Sequence, residues 1–120
     1  MDDQTLAYIA GLFDGEGSAR TVLTKASKNG KLYKKLEVRI AQVDREVLDW
    51  ISVQFGFGKV YSKSDKRAEL KGWNECYDYV VAYKMGRKFL TAIEPYLRVK
   101  RNKVSALLDE HGREVLNNEM

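Results

Sequence analysis

Asp14-Gly15-Glu16-Gly17 places two carboxylates one residue apart, each followed by glycine, directly behind an apolar run. In that run Leu6, Ile9, Ala10 and Phe13 recur at i, i+3, i+4 and i+7, the spacing of a helix with one buried face. Thr5, or Asp3 before it, can cap the start. Ala7, Gly11 and Asp14 line a second face whose first two side chains are very small, so a second helix could approach closely there. The helix then runs out at Gly15 and Gly17 and leaves Glu16 at its C-terminal tip. A carboxylate is unfavourable at that end, where the helix dipole is negative. A bound divalent cation would remove the penalty. An ordinary amphipathic helix with a glycine C-cap would account for the apolar face and one glycine. It leaves unexplained two small helix positions followed by acid-Gly-acid-Gly.

The elements that must position these acids follow from the patterning. Residues 18–28 and 31–42 read as strands, joined by Asn29-Gly30, a two-residue hairpin signal of the I′ type. In the second strand Leu36, Val38 and Ile40 alternate with Glu37, Arg39 and Ala41, so one face is buried and the other polar. In the first, Ala19, Thr21 and Leu23 are the inner set, with Arg20, Val22 and Thr24 outward. Asp44 can cap a helix over 45–55 with Val47, Leu48, Ile51 and Phe55 inward, ended by Gly56-Phe57-Gly58. A second hairpin is expected over 59–70 and 73–84, turning near Lys71-Gly72, with Tyr77, Tyr79, Val81 and Tyr83 inside. Phe89, Leu90 and Ile93 define a third helix over 86–94, terminated by Pro95. Val104, Leu107 and Leu108 define a fourth over 102–110, closed at Gly112, and 113–120 is one more turn or a frayed tail. The order is α-ββ-α-ββ-α-α: an α+β fold in which helices cover one face of an antiparallel four-stranded sheet.

The chain has 120 residues, 44% hydrophobic and 32% charged, which describes one globular domain spanning 1–120. No apolar run approaches the roughly 18 residues of a membrane span. No basic-then-apolar leader is present, so an intracellular protein is expected. One Cys, Cys76, rules out an internal disulfide, and with one His, His111, a structural zinc site is excluded. A metal here would be a hard cation held by oxygen, which points to Mg²⁺. His111 reads as a surface helix-end residue, and Trp50 and Trp73 as packing anchors. The net charge is only +4, but 19 of the 21 Lys and Arg fall in three stretches, 20–39, 59–71 and 84–103. The first stretch holds seven of them against the single acid Glu37. Such segregation is the footprint of a nucleic-acid binder, although solvated strand faces would produce it too.

The segment Ile9-Ala10-Gly11-Leu12-Phe13-Asp14-Gly15-Glu16-Gly17 resembles the signature of the LAGLIDADG homing endonucleases, single-motif type. The order of elements resembles such a subunit over about residues 5–110, with 111–120 as a tail. The resemblance implies a saddle-shaped sheet and a homodimer joined through Ala7, Gly11 and Asp14. It implies site-specific cleavage of double-stranded DNA at a long pseudo-palindromic site. Divalent cations would be required, Mg²⁺ foremost, with Mn²⁺ or Ca²⁺ able to occupy the site. Glu16 matches the metal-ligating acid, where Asp is commoner, and the Gly15 carbonyl is a further ligand. Asp14 holds an earlier acid position for which a capping role at the helix pair is at least as good a reading. Gln42 aligns with a polar residue that orders water, and Lys100 with a basic residue acting at the phosphate. Glu46 and Asp49 depart from the pattern, since a basic residue is usual there and Arg45 or Arg98 would have to supply it.

Duplex recognition would fall to the open sheet face, since a two-stranded ribbon fits the major groove. Arg20, Val22, Thr24, Tyr33, Lys35, Glu37 and Arg39 would read bases, joined by Tyr61, Lys63 and Asp78, with Glu37 able to accept from a cytosine amine. Lys28, Lys31 and Lys66 would grip phosphates, and Arg98 would add a further contact. A non-cleaving RNA-binding maturase or DNA-binding protein on the same fold is the competing expectation, disfavoured by the retained Glu16.

Overall fold

The computed structural model describes residues 1–25, 28–63 and 75–116. Helix α1 (Asp3–Glu16) is capped by Asp2, one residue before Asp3 and three before Thr5, the two expected caps: Asp2 Oδ1 accepts from the Thr5 N–H at 2.8 Å. Ile9, Ala10 and Phe13 are fully buried, as the periodicity requires. Strands β1 (Gly17–Lys25) and β2 (Leu32–Gln42) follow, then α2 (Arg45–Phe55), β3 (Lys59–Lys63) and β4 (Cys76–Ala82). Helix α3 (Tyr83–Ile93), a 3₁₀ turn (Glu94–Tyr96) and α4 (Arg101–His111) complete the order. The strands form one antiparallel sheet in the order β1-β2-β4-β3, so the two hairpins meet at its centre. All four helices pack against strands of this sheet or against each other.

The inward side chains are Ala19, Leu36, Val38, Ile40, Tyr79 and Val81, buried with Phe13, Leu48, Ile51, Phe55, Phe89 and Leu90 in one core. Burial pushes the Tyr79 hydroxyl up, and it donates to the Phe57 carbonyl at 2.9 Å. Helix α2 behaves as its local signals dictate: Asp44 accepts from the Glu46 N–H at 2.9 Å, and Gly56 closes the helix at φ +79°.

Four expectations need correction. The β1–β2 turn is not a two-residue Asn29-Gly30 hairpin, because that register would pair Thr24 with Lys35, whereas Thr24 pairs Tyr33. Asn29 Oδ1 instead accepts from the Lys31 N–H at 2.9 Å, and Gly30 takes φ +71°. The slip is two residues, so every side chain keeps its expected face. Leu23 shares the helix side but is exposed, because α4 ends at His111 opposite Thr21. Strand β4 ends at Ala82 and α3 begins at Tyr83, not 86, with Tyr83 at φ +55°. Pro95 does not follow the helix directly but lies in the 3₁₀ turn. Residues 113–116 are not helical, which agrees with the second of the two readings of the tail. The Lys71-Gly72 turn, Trp73 and residues 117–120 lie outside the described residues.

Candidate active site and candidate nucleic-acid interface

Gly17 must be glycine: a Cβ there would lie 2.2 Å from the Phe13 ring. That close approach turns the chain from α1 directly into β1 and leaves Glu16 exposed at the tip, with no ion pair to it among the described residues. The unfavourable dipole at this end is already offset from within the chain. Lys100 Nζ, half-buried, donates to the carbonyls of Phe13, Asp14 and Gly17 at 3.2, 3.0 and 2.7 Å. The ammonium caps α1, a task that sequence reasoning assigned to a divalent cation. Lys100 thus reaches the expected site, anchored on the carbonyls that flank Glu16 in the chain.

Asp14 fastens the same junction from the other side. Its carboxylate accepts from the backbone N–H groups of Arg98 and Lys100 at 2.8 and 2.9 Å. Partial burial pushes this carboxyl up, but the N–H donors of Arg98, Lys100 and Val99 and the Lys100 charge prevail and hold it below the ordinary aspartate value. Asp14 is therefore a cap on its own chain's 98–100 segment. Gln42 ends β2, its Oε1 accepting from the Val43 N–H at 2.9 Å.

The outer face of α1 is a ridge between two grooves. One, of about 510 Å³, is lined by Ala7, Gly11, Asp14, Tyr96, Leu97 and Arg98. The other, of about 580 Å³, lies between Tyr8 and Trp50, whose rings meet edge-on at 5.7 Å. A Cβ on Gly11 or Gly15 would meet nothing within 4 Å, so packing within the chain does not require either glycine. Among the described residues, no group of three His, Cys, Asp or Glu could hold a metal. One chain therefore offers a carboxylate and a neighbouring backbone carbonyl, oxygen donors suited to a hard cation but only part of a coordination shell.

The register places Arg20, Val22, Thr24, Tyr33, Lys35, Glu37, Arg39, Tyr61 and Asp78 together on the sheet face away from the helices. Lys28 and Lys31 sit in the β1–β2 connection, and Lys63 pairs with Cys76. Lys66 lies outside the described residues. Arg98 is not on this face but beside α1. Glu37 and Asp78 do not stand out from the sheet as base readers: they are 8% and 2% exposed. Glu37 Oε1 accepts from Arg20 Nη2 at 3.3 Å and Arg39 Nε at 3.1 Å, its Oε2 lies 3.7 Å from Lys35, and Asp78 takes Arg39 Nη1 at 3.1 Å. Burial raises the Glu37 carboxyl, but the bonds and charges of Arg39 and Arg20 outweigh it and set it below the ordinary glutamate value.

Two residues escaped sequence reasoning. Tyr83, expected inside, lies by the open face, where Lys35 Nζ sits 5.5 Å from its ring centroid. A left-handed tyrosine costs about 1–2 kcal/mol, and no local pattern announces it. His111 is not merely at the surface: its Nε2 bonds Thr21 Oγ1 at 2.8 Å, tying the end of α4 to β1.

No family model matches the sequence, and no curated protein matches it. Solved structures do. The homing endonuclease I-CvuI, in complex with the I-CreI target, aligns with a TM-score of 0.72 at 19% identity, covering 88% of this chain and 64% of that one. The archaeal intron-encoded homing endonuclease I-Vdi141I, complexed with DNA, aligns at 0.70 and 23% identity over 91% of this chain and 67% of that one. The group I intron-encoded I-CeuI, also complexed with DNA, aligns at 0.63 and 23% identity over 90% and 55%. The chain thus has the α+β fold of the LAGLIDADG homing endonucleases, and its structural neighbours are members of that family. It spans 64% of the length of I-CvuI. Among the described residues, no helix is long and apolar enough to cross a membrane.

Proposed function

We propose that this chain is one subunit of a homodimeric, site-specific, divalent-metal-dependent DNA endonuclease. The observation that carries this reading is the state of Glu16. It is exposed and without an ion-pair partner among the described residues, whereas Glu37 and Asp78 on the sheet are each locked by an arginine. It stands at the end of a ridge whose Gly11 lies in mid-helix, a placement that costs about 1 kcal/mol against alanine with no return inside the chain. A second copy packed ridge to ridge about a two-fold axis would use those glycines and bring two Glu16 tips together.

In this arrangement Glu16 and the Gly15 carbonyl would hold Mg²⁺, which when bound neutralises charge on the phosphate and makes water a nucleophile near neutral pH. The chain's own groups do the rest. Gln42 has its amide NH₂ to orient a water. Lys100 brings a fixed positive charge beside the acid, and Asp14 holds the 98–100 segment that carries it. The open sheet lies along the duplex, with Arg20, Arg39 and Tyr61 toward the base edges and Lys28 and Lys31 toward phosphate.

Incubation with a randomised plasmid library and Mg²⁺, followed by sequencing of cut ends, tests the reading. Wild type is expected to cut a defined site and Glu16→Gln to bind it without cutting. Equal cutting by both would remove Glu16 from the site. Specific binding without cutting by wild type would replace the enzyme with a non-cleaving binder, and preference for structured RNA would replace it with a maturase.

A further inference from the structure

The centre of the open sheet is not a phosphate grip. Among the described residues, three cations, Arg20, Lys35 and Arg39, stand over two carboxylates, Glu37 and Asp78, a net charge of +1 for these five groups. Phosphate contact favours uncompensated charge, and here the two acids are buried among the cations that they pair. Placement explains why. Glu37 is the direct cross-strand partner of Arg20, and Arg39 lies two residues further along β2, so one carboxylate oxygen reaches both guanidiniums. Arg39 is held twice, through Nε by Glu37 on its own strand and through Nη1 by Asp78 on β4. A guanidinium has five N–H donors, and two of those on Arg39 are taken. The other three, both on Nη2 and one on Nη1, remain for an incoming pair of acceptors. Lysine cannot be aimed in this way, because its ammonium has no fixed fork.

We propose that Glu37 is a positioning residue: it holds Arg20 and Arg39 as preset guanine readers over the sheet centre, while affinity comes from lysines at the periphery. The inference rests on the duplex-binding part of the proposed function. Guanine is the base class implied, since its O6 and N7 match an arginine fork in the major groove. The acids contribute selectivity in two ways. They fix the fork before DNA arrives, so less rotamer freedom is lost on binding, and they cancel charge that would otherwise hold any sequence.

The test selects the full chain on a randomised duplex library in EDTA, so that no strand is cut, and sequences the bound fraction. Wild type is expected to enrich guanine at positions whose replacement by 7-deazaguanine, which lacks N7, weakens binding roughly tenfold. Glu37→Gln removes the charge and is expected to flatten that guanine preference about tenfold while random-duplex affinity rises about twofold. Glu37→Asp keeps the charge but shortens the reach, and should flatten the preference without the rise; should Glu37→Gln fail to fold, this variant decides. Arg39→Lys should lose the 7-deazaguanine response at the guanine that Arg39 reads and keep it at the one that Arg20 reads. Retention of the wild-type guanine preference by Glu37→Asp or Glu37→Gln would overturn the positioning role and leave duplex binding standing. A wild-type preference indifferent to 7-deazaguanine would overturn the guanine assignment. If wild type bound no duplex, the endonuclease reading would fall first.

Discussion

Lys100 and Asp14 form a reciprocal clasp, and its chemistry separates two roles that activity alone would confuse. Lys100 Nζ ends α1 by binding the carbonyls of Phe13 and Asp14 and that of the capping residue Gly17, while Asp14 in α1 binds the backbone N–H of Lys100 itself. Replacing Lys100 by Met leaves those carbonyls without their charged donor, and loss of a charged hydrogen-bonding group costs about 1–3 kcal/mol. Urea unfolding should therefore find Lys100→Met about 1–2 kcal/mol less stable, apart from any loss of cleavage; an unchanged midpoint would mean that the cap contributes nothing. Asp14 gives a pH signature. Its folded pKa is lowered, so its contribution is fully present above the ordinary value of 3.8 and is lost as pH falls through the folded value. Asp14→Asn should destabilise by about 1 kcal/mol at pH 7, toward the low end because the carboxylate is only partly buried. That difference from wild type should shrink on titration below pH 3.8, as followed by urea midpoints across the range.

Helix α1 and its C-cap carry glycines of opposite meaning. Gly17 packs against Phe13 so closely that a Cβ would collide with the ring, so Gly17→Ala should cost about 1–3 kcal/mol through overpacking at a buried junction. Gly11 meets open space, so Gly11→Ala should raise the stability of the single chain by up to about 1 kcal/mol and weaken self-association. Thermal melts of dilute protein, paired with sedimentation at higher concentration, separate the two; a Gly11→Ala protein that associates as wild type does would remove the ridge from the interface. The elements legible in the sequence are those whose instructions are local. Asp44, the Leu48/Ile51/Phe55 stripe and Gly56 specify α2 within 13 residues, and period two in β2 assigns its faces without reference to any partner strand. What was not legible depends on contacts far along the chain. The Lys100 cap joins residues 83 apart to Gly17, and the His111 bond to Thr21 spans 90. Tyr83 is set by how a strand end meets a helix start, where tertiary packing overrides the alternation that put it inside. Glu37 was recognisable as an outward residue but not as a buried one, because its burial is created by two arginines from neighbouring positions on the sheet.

Taken whole, the molecule has one open basic face on the sheet and, on α1, a glycine-bearing ridge that ends in an acid with no ion pair among the described residues. The proposed two-fold dimer joins them in a specific way. If each strand of the duplex is cut by its own Glu16 with its own Lys100, catalytic failure in one subunit should spare the other strand. If instead the two Glu16 groups act together on every phosphate, failure in one should stop both cuts. Co-expression of wild-type and Glu16→Gln chains carrying different affinity tags isolates the mixed dimer. Supercoiled plasmid bearing the selected site then reads the answer, since a nick gives open circles and a double cut gives linear DNA. Separate sites predict open circles only, formed at about half the wild-type rate of first cutting because one of two equivalent sites remains. Linear product from the mixed dimer would place the reacting acid elsewhere, and intact supercoils would mean that the paired carboxylates share their cations, so that the ridge positions one joint centre instead of two.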